Sequence, residues 1–452
     1  MVRHSARLSI LILAIAATAA AQERPALIDA AKNADRAQLR ALIQKKADVN
    51  AAAADGTTAL HWAAYRDDAE SVDLLVRAGA NVNAANDLGA TPLWNASMNA
   101  GTAIVRKLLD AGANPNLALL AGETPLMVAA RSGKADVVAL LLAKGADPDA
   151  RASRRQTALM WAASQRHPDV VKALVTHGAD VHARSSEWQE MMAVPPHGLP
   201  QYNKIIPHGR DTALLFAARA GDLESAKLLV GAGANVNDFD AWGVSVTTMA
   251  AHAGFTEMVE WLLDRGADAS AANAGFGALH GAIMRRDTRM VTALLAHGAD
   301  PNAPLKTWTP TRRSSRDFNF APELVGATPY WLAARFNEPD VMRLLLKQGA
   351  NATFVHHANY HNEEPVEPRT QVTTAVMAAT GMGGGVAWVQ PDRREREALM
   401  LESVRLAADQ GVDLNARNTD GRTALDAARA LKFESVVAFL TEHGARPGTA
   451  GK

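Results

Sequence analysis

The sequence predicts an all-α solenoid of about eleven helix–turn–helix units, counting a cap at each end. Three observations predict it. Helix-start positions recur at Thr58, Thr91, Thr124 and Thr157, each 33 residues after the last. Gly-Ala-Asn or Gly-Ala-Asp turns follow at Gly79, Gly112, Gly178, Gly233, Gly266, Gly298 and Gly349. The helices between these signals carry an apolar side that none can bury alone, so the units must stack.

The unit Ala121–Arg154 shows how each element arises. Thr124 caps a first helix, its hydroxyl satisfying a free backbone N–H, and Pro125 takes the first helical position, where no N–H is needed. Gly133 lets the chain leave that helix through a left-handed turn. A second helix, Ala135–Lys144, gathers Val137, Val138, Leu140, Leu141 and Leu142 largely on one side. Gly145-Ala146-Asp147 then turns the chain toward the next copy.

The same start reads TALHWAA from Thr58, TPLWNAS from Thr91, TALMWAA from Thr157, TALLFAA from Thr212 and TPYWLAA from Thr328. Less regular starts stand at Ser245, Gly277, Thr374 and Thr423. Over roughly residues 25–447 these motifs resemble the ankyrin-repeat family, whose unit opens on a TPLH-like helix start. The resemblance implies an ankyrin-repeat solenoid with β-turn fingers beside a concave groove, and a role in protein association. It also implies that His61 and His280, at the motif histidine, support the turn by hydrogen bonding.

Residues 1–21 read as a signal peptide, with Arg3, His4 and Arg7 before the apolar run Leu8–Ala17 and small residues Ala19-Ala20-Ala21 before Gln22. A retained anchor is the alternative, although the run is short for a membrane span. The mature chain is expected to be secreted, or periplasmic in a Gram-negative cell. N-terminal repeats follow over 22–184, then an insertion at 185–210, central repeats at 211–302, an insertion at 303–325, a repeat at 326–353 and an insertion at 354–372. C-terminal repeats fill 373–452 and contain a fourth, glycine-rich insertion at 381–394. The four insertions are expected to be irregular. The first three lie between a closing turn and the next helix start, so they are expected to overhang the groove and add specificity.

Lys plus Arg equals Asp plus Glu at 47 each, and removing residues 1–21 leaves 45 against 47, or −2. That balance argues against nucleic acid or an anionic membrane as the main partner. The chain has no cysteine, which excludes disulfides, thiol catalysis and thiolate metal sites.

In the ankyrin fold the two residues before the inter-helix glycine face the groove. Here they include Tyr65 and Arg66, Met98 and Asn99, Arg131, Arg219, His252, Arg285, and Arg335 with Phe336. Five arginines on one face suit a carboxylate-rich ligand, because guanidinium groups bind carboxylates in bidentate fashion. The alternative is a solvated face, or arginines occupied by loop acids such as Glu363 and Glu364. Trp308, with Arg312, Arg313, Arg316, Phe318 and Phe320 in the second insertion, combines charge and aromatics in the manner of an interface anchor; a mobile loop with solvated charges is the alternative. Trp62, Trp94, Trp161 and Trp331 are expected to pack between layers, although Trp94 and Trp331 could reach the groove.

His356, His357 and His361, followed by Glu363 and Glu364, offer imidazole and carboxylate to a metal ion. The segment lacks HExxH spacing, and a polar loop rich in histidine is the alternative. Gly381-Met382-Gly383-Gly384-Gly385 lacks the GK[ST] ending of a phosphate loop and reads as a flexible turn. No Ser/His/Asp arrangement follows from spacing. The expected function is an exported, non-catalytic, monomeric scaffold without a cofactor, holding a protein or peptide partner, acidic if the arginines are free. The alternative is a metal- or small-ligand-dependent activity around the three histidines.

Overall fold

The computed structural model describes residues 25–99, 101–192, 203–309, 319–362 and 366–448. The signal-peptide segment, Glu363 and Glu364, and Arg312, Arg313, Arg316 and Phe318 lie outside the described residues. Among those described, 22 α-helices form eleven antiparallel pairs, and the chain divides into two compact units, Met1–Leu117 and Ala118–Lys452. The first unit holds three pairs, from Ala26–Lys32 to Thr102–Asp110; the second holds eight, from Pro125–Arg131 to Glu434–Glu442.

Each pair forms as the local chemistry requires. Thr124 Oγ1 accepts from Met127 N at 3.3 Å, and six consecutive residues, Pro125–Ala130, are buried. A helix buried all round belongs between layers. The second helix, Ala135–Ala143, buries Val137, Val138, Leu140, Leu141 and Leu142. Gly133 takes φ 70°, and a Cβ there would meet the His167 ring at 2.8 Å, so glycine is needed for both reasons. Other repeats make the same left-handed corner with ordinary residues, including Asp67, Arg166, Arg286, Asn337 and Lys432, at a conformational cost that the surrounding layers must offset.

The motif histidines behave as the resemblance implies. His61 Nδ1 accepts from Thr58 N at 3.1 Å and Nε2 donates to Ala90 O at 2.9 Å. His280 repeats this with Gly277 N at 3.1 Å and Ala303 O at 3.0 Å, which secures a helix start that lacks the capping threonine. An Nδ1 that accepts from a backbone N–H carries no proton, so both rings are neutral with the hydrogen on Nε2. Burial lowers both pKa values, that of His280 to about 4.

Two insertions that read as irregular are antiparallel hairpins. Strand β1 (Trp188–Met192) pairs with β2 (Lys204–His208), with Met191 opposite Ile205. Strand β3 (His356–His361) pairs with β4 (Pro368–Thr373), with His356 opposite Thr373. The second insertion folds back at its base, where Thr309 N donates to Phe320 O at 3.1 Å. Neighbouring fingers of the second unit are joined by single main-chain bonds, Ser186 N to Arg154 O at 2.7 Å, Ala241 N to Gly209 O at 2.8 Å and Lys306 N to Gly275 O at 2.7 Å. A finger can thus lengthen at its tip while its base stays in register.

Candidate partner-binding surface

In the first unit, Tyr65 and Arg66 end the helix Ala59–Tyr65 and are exposed, as is Asn99. Met98 is half-buried. The Trp62 and Tyr65 rings meet edge to face at 6.0 Å, and Lys32 Nζ lies 5.1 Å from the Trp62 ring centre. Asn95 and Asn99 donate to the carbonyls of His61 and Tyr65 at 3.4 and 3.5 Å, holding consecutive layers together along this edge. Thr57, His61, Trp62, Tyr65 and Asn95 line an open cavity of about 230 Å³. Tyr65 stands 46% exposed at its edge.

In the second unit the arginines are engaged. Arg131 pairs with Glu123 at 3.2 Å and lies 4.6 Å from the Trp161 ring centre. Arg219 pairs with Asp211 at 2.9 Å. Each acid sits immediately before the capping threonine of the arginine's own helix, eight residues earlier, so the pair ties finger to helix. Arg285 Nε donates to His252 O at 2.9 Å, and burial lowers its pKa. Arg335 donates from Nε and Nη2 to the carbonyls of Gly384 and Gly385, both at 2.8 Å; burial pulls it down to about 10. The expectation of five arginines lining an acid-binding groove is therefore corrected for the four that have partners within the protein; Arg66 and Arg219 are exposed, Arg219 while paired with Asp211. Their partners are finger acids and main-chain carbonyls, which spacing alone did not single out.

The glycine-rich insertion is a strap and not a flexible turn. It crosses the inner face of the repeats that begin at Ser245, Gly277 and Thr328. Arg335 holds its start, Trp388 N donates to Met284 O at 3.1 Å, and the Trp388 indole N–H donates to Asn319 O at 2.8 Å. The indole meets the His252 ring at 5.0 Å and the Phe320 ring at 5.1 Å, with Arg285 5.8 Å from its centre. His252 and Arg285 thus contact the protein's own tryptophan. Phe336, expected on the groove, is 5% exposed, and Arg286 binds its carbonyl. Trp331, which could have reached the groove, is buried against His356 at 4.3 Å between ring centres. Trp308 is half-buried, with Lys204 of the first hairpin 4.9 Å from its ring centre.

The histidine site is corrected as well. Strand alternation sends His356 to one face of β3 and His357 with His361 to the other. His356 is fully buried, its Nε2 donating to Val325 O at 3.0 Å, and burial lowers its pKa. Among the described residues no three His, Cys, Asp or Glu come together to hold a metal ion. Nor is any described helix long and apolar enough to cross a membrane.

The family model for three-copy ankyrin repeats matches residues 27–119, 118–185 and 210–304, and the single ankyrin-repeat model matches 325–359, together more than half of the chain. The chain is an ankyrin-repeat protein. Such repeats generally mediate protein–protein interaction. A putative palmitoyltransferase of Danio rerio is 28% identical over 249 residues, covering 50% of this chain and 34% of that protein. An E3 ubiquitin-protein ligase of Arabidopsis thaliana is 28% identical over 253 residues, covering 53% and 15%. This ankyrin-repeat chain therefore spans about a third or less of the curated relatives it matches. Among solved structures, the human ASB11 ankyrin repeat domain is 28% identical, covering 53% of this chain and 96% of that one, at a TM-score of 0.43.

Proposed function

We propose that this ankyrin-repeat protein is an exported, non-catalytic scaffold that holds a protein or peptide partner against the inner face of its repeats, with the fingers adding specificity. Tyr65 carries the reading. A large aromatic 46% exposed beside a cavity, with the exposed Arg66 next to it, has the composition of an interface anchor. Neither residue is needed to fill a layer. Of the two exposed arginines among the five, Arg219 is paired with Asp211, so a partner's carboxylate would meet Arg66. The finger contribution is supported by Met191 and Ile205, directly opposite on the first hairpin and 67% and 58% exposed. Export is supported by the basic and apolar pattern of residues 1–21 and by the absence of cysteine.

The test is cross-linking capture from the extracytoplasmic extract with two baits, the natural protein and a Y65A/R66A variant. A protein enriched by the first and lost with the second supports the reading. Equal capture by both moves the site away from Tyr65, and recovery of the chain in the cytoplasm alone removes the export part.

A further inference from the structure

Residues 383–388 contact residues of three successive repeats of the second unit. The strap runs against the repeat order, from Arg335 past Met284 to His252, so one short segment touches three successive repeats. Its contacts read a pattern. Two successive carbonyls, of Gly384 and Gly385, accept from Arg335. Three residues after Gly385, one tryptophan fills the space between His252, Phe320 and Arg285 and donates its indole N–H to Asn319 O.

The same contacts dictate what may precede the tryptophan. A Cβ at Gly383 would meet Trp331 Cζ2 at 2.5 Å, one at Gly384 would meet Glu323 Cβ at 2.7 Å, and one at Gly385 would meet Leu324 Cδ2 at 2.6 Å. All three take positive φ, 99°, 70° and 66°, which other residues adopt only with strain. Ala387 is 7% exposed, so a small residue is needed there, whereas Val386 is 70% and Val389 45% exposed, so those positions are open. The surface therefore accepts three residues without side chains, an open position, a small residue and a tryptophan.

We propose that this inner face is a second binding site of the protein, distinct from the Tyr65 surface, for a partner-protein segment of the form Gly-Gly-Gly-x-Ala-Trp, and that the strap is a built-in competitor occupying it until such a segment arrives. Three adjacent glycines lose more conformational freedom on ordering than other residues would, a cost that falls alike on the strap and on a matching partner segment. The strap's tether is what favours it, because a short flexible linker holds a segment at an effective concentration on the order of millimolar. A partner must exceed that threshold, which restricts the site to high local concentration or to a ligand that adds contacts with the fingers.

The probe is a labelled synthetic peptide of residues 381–391, Gly-Met-Gly-Gly-Gly-Val-Ala-Trp-Val-Gln-Pro. Three full-length proteins are compared by fluorescence anisotropy: the natural chain, W388A, and W388A/G384A, in which the added methyl also unseats the start of the strap. The expected result is binding at least tenfold tighter to W388A/G384A than to the natural chain. Peptides with the tryptophan or the three glycines replaced by alanine should bind none of them. Equal binding to all three proteins, or no binding to a variant whose circular dichroism and unfolding midpoint match the natural chain, overturns the proposal. A measurement without a mutant guards against misfolding. Excess peptide should accelerate amide hydrogen exchange at Val386–Trp388 of the natural chain, and unchanged exchange at saturating peptide overturns the idea equally.

Discussion

Asn302 holds Asn351 across a whole insertion. Its Oδ1 accepts from the Asn351 N–H at 2.7 Å and its Nδ2 donates to Gly349 O at 3.0 Å. In uninterrupted repeats the same clamp joins Asn50 to Asn81 at 2.7 Å and Asn83 to Asn114 at 2.7 Å, at a separation of 31 residues. Between Asn302 and Asn351 the separation is 49, because the second insertion is looped out without disturbing the layer spacing.

Replacing Asn302 by alanine should lower stability by about 1 kcal/mol, the usual size for two hydrogen bonds at an exposed turn. Urea unfolding followed by circular dichroism reads this directly. Asn302→Asp keeps the acceptor and loses the donor, so it should fall between the two.

Arg335→Ala should free the strap. Two bonds from a charged donor to the Gly384 and Gly385 carbonyls are lost, each typically about 1.5–3 kcal/mol. Amide exchange at Val386–Trp388 should therefore rise roughly tenfold or more. Exchange unchanged in this variant would mean that Trp388 alone anchors the strap.

Glu338 makes the fold less stable as pH rises. It is 4% exposed, and burial pushes its carboxyl up from 4.5 to about 8, the charge of Arg286 only partly opposing this. Between those values the folded chain keeps a proton that the unfolded chain has released, so stability declines by about 1.4 kcal/mol per pH unit from this group. Glu338→Gln should remove that slope between pH 5 and 8 and raise stability at neutral pH. Urea midpoints across this range give the comparison.

His280 acts in the opposite direction. Its folded pKa is lowered from 6.5 to about 4 by burial, so on acidification the unfolded chain takes up its proton first. Stability from this group is complete above pH 6.5 and is lost as pH falls toward 4. His280→Gln, which retains an acceptor for Gly277 N, should flatten that acid limb while leaving the alkaline one unchanged.

Much of the fold was legible in the chain, because each repeat is a local device. Thr124, Pro125 and Gly133 act within one turn of their own helix, so local residue chemistry located them, and the ankyrin resemblance implied that His61 and His280 bind their own helix start. The hairpins were harder to read. Trp188–Met192 and His356–His361 lack a clean apolar alternation, so no period-2 signal marks them. The candidate site was legible only as a face. The ankyrin resemblance implied that Arg131, Arg219, Arg285 and Arg335 lie on the inner side, but whether a guanidinium is free depends on residues that the repeat pattern does not reveal, Glu123 and Asp211 among them.

The amino-acid sequence by itself determined the repeat, its period and the helix caps, because hydrogen bonding and apolar burial within about 33 residues decide them. Only the tertiary structure decided who occupies that face. Trp388 lies 136 residues from His252, and no local rule links the two. Their contact exists because stacked layers bring Arg335, Met284 and His252 into one line, along which a side-chain-free glycine run can lie.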